Sequence, residues 1–166
     1  MTTLHLSDGA IKDEALVVGL SFKTSSKKGQ GALVIESGDI ALDSKKLLAT
    51  LSDLGATGKT DEVIKIPGTS TKLLVFTGLG ENKSTFSDET LRRAAGAAAR
   101  ALAGNSSTTL SLPAKKAATI AAIAQGALLG AYSFNKFRVD SMVNHQVSLK
   151  SVTIHSALAK KVEAKE

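Results

Sequence analysis

Three arginines on one predicted helix, Arg92, Arg93 and Arg100, are the side chains best suited to binding chemistry in this sequence. A guanidinium group carries a permanent charge and donates hydrogen bonds in a planar fork that fits a phosphate group. The stretch 90–139 around them contains no acidic residue, and the whole chain has a formal net charge of +6. Because Leu91, Ala95, Ala98 and Leu102 form the predicted buried stripe of the helix, Arg93 and Arg100 are expected on the opposite face. That face is predicted to be solvated or complementary to another domain, with a contact of the three arginines with nucleic acid as the alternative.

Two glycines at the end of an apolar run form a second candidate site. Gly78 and Gly80 close the run 73–80 ahead of a predicted helix, where backbone amides can bind an anion such as the phosphates of an ADP-ribose-like nucleotide. The segment 53–60 carries the Gly-Lys-Thr of a phosphate-binding loop, but Asp53 replaces the first glycine, and a helix rather than a strand precedes it. We therefore expect Gly78 and Gly80, like Gly96, Gly126 and Gly130, to serve turns and close helix packing, with an anion-binding turn at Gly78 and Gly80 as the alternative. At 53–60 we expect only a helix end and a turn.

Catalytic groups and metal ligands are scarce. The chain has no Cys, which excludes disulfides and thiol chemistry, and it lacks the Gly-x-Ser-x-Gly pattern of serine hydrolases. None of the histidines His5, His145 and His155 has a carboxylate or a second histidine at ligand spacing. A two-metal site needs several converging carboxylates, whereas the acidic residues here are scattered. The sequence predicts no catalytic residue, no metal site and no cofactor within this chain.

The composition is that of one globular domain. The 166 residues are 43% hydrophobic and 22% charged, which is sufficient for one sizeable core. Aromatic residues make up only 4%, so there is little material for stacking nucleic-acid bases. The start of the chain lacks the basic and apolar regions of a secretion signal, and no apolar segment reaches the ~20 residues of a membrane span. A cytoplasmic protein without membrane contact is expected.

Apolar runs and helix caps alternate along the chain and indicate the scaffold that must position these residues. Apolar runs predict buried strands at 15–20 and 73–80, and shorter segments with polar residues among the apolar ones predict further strands at 63–66, 108–112 and 152–154. Helical spacing predicts helices between the caps Asp43 and Gly55, between Ser87 and Gly104, and over 115–132. Strands that alternate with helices predict an α/β fold of three layers, α/β/α, with a mixed, mainly parallel sheet.

The helix predicted at 115–132 is apolar around nearly its whole circumference. A helix of this kind is usually covered on more than one side. Either it is wedged between the sheet and a neighbouring helix, or it forms part of an interface with another domain or subunit.

Two segments at these helices resemble the N-terminal domain of the leucine (cytosol) aminopeptidase family. They are the Thr-Leu-Arg-Arg-Ala-Ala-Gly segment beginning at Thr90 and the Leu-Gly-Ala-Tyr-Ser-Phe segment beginning at Leu129. The strand 73–80 with its Gly-Leu-Gly-Glu turn is similar to the central strand of that domain, and 152–154 falls where its final strand would lie. The resemblance spans roughly Leu16 to Ile154.

This resemblance implies a macro-domain-like fold that a helix joins, in the full protein, to a catalytic domain with two divalent metals, zinc or manganese. Members of the family form hexamers and release N-terminal amino acids from peptides. The metal ligands and catalytic residues of the family surround an Asn-Thr-Asp-Ala-Glu-Gly-Arg signature, which is absent here. The resemblance therefore implies a non-catalytic domain at residues 1–155 and the start of a linker helix at 156–166, with a catalytic domain missing. The alternative is a freestanding binding module for nucleic acid or an ADP-ribose-like nucleotide.

Overall fold

The computed structural model of the chain describes residues 2–24, 31–132 and 147–160. Its strands and helices follow one another in an order typical of an α/β protein. They are β1 (Thr3–Ser7), β2 (Ala15–Lys23), β3 (Ala32–Glu36), α1 (Ser44–Asp53), β4 (Val63–Pro67), β5 (Leu73–Glu81), α2 (Asp88–Ala101), β6 (Ser107–Ser111), α3 (Ala117–Ala131) and β7 (Ser151–His155), with a 3₁₀ helix at Ala157–Lys160.

A seven-stranded sheet forms the middle of the molecule. Its order is β1-β7-β6-β2-β5-β4, and β3 pairs with β2 beside this path. The pairs β1–β7, β7–β6, β6–β2 and β2–β5 are parallel, whereas β3 and β4 run antiparallel to β2 and β5. The predicted mixed, mainly parallel sheet is therefore confirmed, and the first and last strands of the described chain lie side by side.

Burial on both faces of the sheet explains the uninterrupted apolar runs. In β2, Ala15 and Val17 face the core beneath α2 and α3, whereas Leu16, Val18 and Leu20 face the core beneath α1. Successive side chains of a strand point to opposite faces, so a strand covered on both sides needs apolar residues at every position. This arrangement gives the three predicted layers, with α1 on one face of the sheet and α2 and α3 on the other.

The apolar helix α3 is wedged between α2 and the sheet. Ile120, Ile123 and Ala127 are buried in the core that α2 and the sheet share. The domain therefore covers one side of this helix, which is the contact that the first of the two interpretations describes, and does not bury it fully. A stripe on the other side remains open to solvent, and Leu129 and Tyr132 are 72% and 71% exposed there.

Two of the predicted helix caps differ in how they work. The Ser87 side chain accepts a hydrogen bond from the Thr90 amide at 3.1 Å, as its sequence position predicts. The prediction for Asp43 needs correction, because its side chain makes no capping hydrogen bond and only its carbonyl accepts, from the Leu47 amide at 3.3 Å. Gly55 follows α1 with φ at 73°, which a glycine adopts without strain.

Some sequence predictions fall beyond the described ranges. His145, the last two residues of the Leu-Gly-Ala-Tyr-Ser-Phe segment and residues 161–166 of the predicted linker helix all lie outside them. Of the linker prediction, the structure describes a 3₁₀ helix at Ala157–Lys160. Within the ranges that are described, no helix combines the length and apolar character that crossing a membrane requires.

Candidate functional site

Helix α2 turns a buried stripe toward the sheet and a basic face toward solvent. Because Leu91, Ala95, Ala98 and Leu102 are fully buried at helical spacing, the rotation of the helix is fixed. The three arginines of the candidate nucleic-acid contact are exposed on the remaining surface. The predicted division of this helix into a buried and a solvated side is confirmed.

The structure pairs two of these arginines with carboxylates. Arg92 is bonded to Glu89 one turn earlier, and Arg93 is bonded to Asp61 in the loop before β4. All four side chains are about half exposed, and ion pairs of this kind contribute ~0–1 kcal/mol to stability. No ion pair within the described ranges involves Arg100. The stretch 90–139 is free of acidic residues in sequence, but two acids reach its arginines in space.

A groove of about 270 Å³ runs between α2 and α3 beside these arginines. The two helices approach closely because Gly126 and Gly130 face the backbone carbonyls of Arg92 and Gly96, where a Cβ would not fit. The predicted use of these glycines for close helix packing is confirmed. The groove is lined by Asp61, Arg92, Arg93, Gly96, Ala97, Arg100, Gly126, Leu129 and Gly130. It combines a basic rim on α2 with an exposed leucine on α3.

The amides of Gly78 and Gly80, the alternative anion-binding turn, are already used inside the protein. Both glycines lie within β5, and their amides donate to protein carbonyls, to Glu62 at 2.8 Å and to Gly58 at 2.9 Å. An amide that already donates to a carbonyl cannot bind an anion without losing that hydrogen bond. The two glycines instead let the loop before β4 lie directly against the strand, since a Cβ at Gly78 would overlap the carbonyl of Lys59.

The Gly-Lys-Thr segment forms the predicted turn, and its amides bind a carboxylate of the same chain. The Glu62 side chain accepts from the amide of Thr57 at 3.0 Å and from the amide of Gly58 at 2.6 Å. It also accepts from the Thr57 hydroxyl at 3.1 Å. Sequence reasoning missed this internal anion, which is only five residues from Thr57 and holds the turn in place.

A cavity of about 880 Å³ opens where β2 ends beside the end of α1. A volume of this size is typical of small-molecule sites. Its walls mix polar and apolar groups in similar measure, and none of its residues was predicted as a site. They are Phe22, Thr24, Gly31, Ala32, Leu33, Ser52, Gly55, Ala56, Thr57 and Lys59.

Charged and titratable groups meet at the ends of β1 and β7. Lys160 donates to the Asp8 carboxylate at 3.0 Å, and this hydrogen bond holds the pKa of the Asp8 carboxyl below its usual range. His155 lies at the end of β7 with its Nδ1 buried and without a hydrogen-bond partner among the described residues. Among all the residues that the structure describes, no group of three or more histidine and acidic side chains lies close enough together to hold a metal ion.

Comparison with known proteins identifies a family for most of the chain. Residues 17–141 match the N-terminal domain of the cytosol aminopeptidase family. A probable cytosol aminopeptidase of Streptomyces avermitilis is 44% identical over 154 residues, which are 83% of this chain and 29% of that protein. The corresponding protein of Streptomyces coelicolor is 40% identical over 85% of this chain and 28% of its own length.

Solved structures share the fold at low sequence identity. A variant of tomato leucine aminopeptidase superposes with a TM-score of 0.65 at 18% identity, covering 99% of this chain and 35% of that one. The bottromycin maturation enzyme BotP, solved in complex with Mn, superposes with a TM-score of 0.61 at 19% identity over 92% of this chain and 28% of its own.

The chain thus spans less than a third of the length of the Streptomyces relatives that it matches. The family match at residues 17–141 covers α1, both helices of the groove and most of the sheet. This chain belongs to the cytosol aminopeptidase family and represents the N-terminal domain of that family.

Proposed function

We propose that this chain is the accessory and assembly domain of a longer aminopeptidase that releases N-terminal amino acids from peptides in the cytoplasm. The observation that carries the proposal is the family match at residues 17–141 together with relatives more than three times as long. In this proposal, residues 1–155 form the domain and residues 156–166 begin the linker to a catalytic domain. The domain contributes to a hexamer and to access at the active site.

The two divalent metals of the proposed enzyme, zinc or manganese, belong to the catalytic domain. The described residues of this chain do not fit them, because no group of three or more possible ligands converges there. The cluster that most resembles a set of metal ligands consists of Asp8 and His155. It also includes the ammonium group of Lys160, which competes with a cation for the Asp8 carboxylate. No step of peptide hydrolysis is therefore assigned to a residue of this chain.

The exposed face of α2 and α3 supports a role in assembly. Leu129 and Tyr132 are large side chains that remain mostly exposed, and Leu129 lines the groove together with the arginines of α2. Arginine and tyrosine at the edge of an apolar patch are typical of protein interfaces. This face is the surface that we propose to contact the rest of the enzyme.

An activity assay tests the proposed function. We expect the 166-residue chain with manganese to release no p-nitroaniline from leucyl-p-nitroanilide above a metal-free control. The product of the gene extended beyond residue 166 is expected to carry the Asn-Thr-Asp-Ala-Glu-Gly-Arg signature and to hydrolyse the substrate only with metal. Sustained metal-dependent release by the 166-residue chain alone, or an extended gene product without the signature, would contradict the proposal.

Nucleic-acid binding is the second candidate function, because the structure brings Arg92, Arg93 and Arg100 to one groove. If each arginine neutralises one phosphate, the affinity for short duplex DNA should fall about 40-fold between 50 and 200 mM salt. The replacement of all three arginines by alanine should abolish DNA binding. The control variant Lys45→Ala, which removes an exposed charge from α1 on the other face of the sheet, should leave DNA binding unchanged. Fluorescence anisotropy measures both effects. An absence of binding at low salt, or equal losses in both variants, rules this candidate out.

A further inference from the structure

The two outer strands of the sheet differ in how their edges are protected. The edge strand β4 carries Lys65 and Pro67, both exposed, and these are residue types that prevent another strand from pairing. The opposite edge strand, β1, reads Thr-Leu-His-Leu-Ser and contains no Lys, acidic residue or Pro. It is also exposed, with Leu4 at 39%. Within the described part of the chain, β1 pairs only with β7. One edge of the sheet is therefore protected and the other is not.

The backbone groups that β1 offers at its open edge follow from its pairing with β7. The Thr3 amide donates to the Lys150 carbonyl at 2.8 Å, and the Ser7 carbonyl accepts from the Ser156 amide at 3.0 Å. The backbone N–H and C=O groups of Thr3 and Ser7 thus point toward β7. Because alternate residues of a strand direct their N–H and C=O groups to opposite edges, those of Leu4 and Leu6 point outward. These outward groups need a partner strand or water.

The sequence of β1 is nearly a palindrome about His5. In an antiparallel pair centred on His5, Thr3 lies opposite Ser7 of a second copy, and Leu4 lies opposite Leu6 of that copy. The pairing places the outward groups of Leu4 and Leu6 against each other, which is the hydrogen-bonded position of an antiparallel ladder. The two His5 residues then face each other at the non-hydrogen-bonded position. Every residue meets its own chemical type, and no like charges are opposed.

The apolar side chains favour the same arrangement. Leu4 and Leu6 lie on the face of β1 that points toward the core beneath α2 and α3, and Leu6 already packs against that core. A second copy would bring its Leu6 next to the exposed Leu4 and extend the apolar surface across the new strand pair. Cross-strand pairs of apolar residues stabilise a sheet.

We propose that β1 is a self-complementary docking edge, through which two copies of this chain join their sheets by antiparallel β1–β1 pairing about a two-fold axis at His5. The occupant is a second copy because the strand is complementary to itself in register, in hydrogen-bonding position and in side-chain type. The contact is small and reversible, since it joins only five residues of each copy. This inference is independent of the proposed peptidase function.

Cysteine crosslinking tests the proposed register. The chain has no Cys, so a single introduced thiol can form a disulfide only between two copies. The facing Cα atoms at the centre of the pair are ~4.5 Å apart, which suits a disulfide, whereas two Thr3 residues would be separated by four residues, or ~13 Å. Under copper phenanthroline, we expect His5→Cys to form covalent dimers at least about tenfold faster than the matched control Thr3→Cys.

A second pair of variants tests the backbone pairing without an oxidant. Leu4→Pro removes an amide that points outward and is not needed in the single chain, whereas Leu4→Val keeps that amide. Sedimentation velocity should show reversible dimers for the unchanged chain and for Leu4→Val. Leu4→Pro should raise the dimer dissociation constant about tenfold or more, because each copy loses a hydrogen bond. Circular dichroism checks that the monomer fold is retained.

Three outcomes would overturn the proposal. They are equal crosslinking rates at positions 5 and 3, sedimentation of the unchanged chain as a monomer at its highest soluble concentration, and a folded Leu4→Pro variant that dimerises like the unchanged chain. Dimers that form only through another surface would give the last of these results.

Discussion

Replacement of Gly126 by alanine is expected to lower the free energy of unfolding by about 2–3 kcal/mol, although alanine is the better helix former. The added methyl group would overlap the carbonyl oxygen of Arg92, which belongs to the backbone of α2 and cannot move alone. The helices must therefore separate, and the core residues between them lose contact. For a chain of this size, we expect the melting temperature to fall by about 5–10 °C.

Neighbouring positions provide graded controls for this prediction. At Gly96, an added Cβ would lie 3.1 Å from the Gly126 carbonyl oxygen, so Gly96→Ala should change stability by only about 1 kcal/mol. Gln125→Ala, on the exposed side of the same helix, should stay within about 0.5 kcal/mol. Urea unfolding of the three variants gives the comparison. A Gly126→Ala variant as stable as Gln125→Ala would show that the two helices do not pack as described.

Replacement of Gly78 by alanine is expected to cost about 3 kcal/mol or more. A Cβ at this position would overlap the carbonyl group of Lys59, and the Gly78 amide donates to the Glu62 carbonyl beside it. The loop before β4 would have to move off the strand. That movement would also disturb the turn that the Glu62 carboxylate holds at Thr57 and Gly58.

Gly55 is the matched control for Gly78. Its φ of 73° strains any other residue, but an added Cβ would meet no atom within 4 Å. Gly55→Ala should therefore lower the free energy of unfolding by about 1–2 kcal/mol, which is the strain of a left-handed conformation in a residue other than glycine. Thermal unfolding followed by circular dichroism separates the two effects. If Gly55→Ala destabilised the chain more than Gly78→Ala, the close approach of the loop to β5 would be disproved.

The parts of the fold that were predicted from sequence are those with strong local signals. β2 and β5 are apolar at nearly every position because helices cover both faces of the sheet, and α2 begins with a serine cap and two acidic residues. The strands β1 and β3 were not predicted. Both are only five residues long and mostly half or fully exposed. β1 alternates apolar and polar residues, whereas β3 carries a run of only four apolar residues, 32–35, directly after a loop.

The candidate site shows a different limit of sequence reasoning. The exposure of Arg93 was predicted from the rotation of α2, but its partner Asp61 is 32 residues away and comes from another element. The glycines of β5 match a strand that ends in a turn, and the pattern does not reveal that a separate loop occupies their amides. The Arg92–Glu89 pair has helical spacing and could have been found from the sequence.

The pairing of β1 with β7 has a consequence for how the chain is made. Strand β1 pairs with residues 151–155, so it has no neighbour in the sheet until nearly the whole domain has been synthesised. Contacts of such long sequence separation form slowly. Residues 3–7 must therefore wait for their partner strand during translation, and an uncharged segment without that partner is prone to pair with other chains in the meantime.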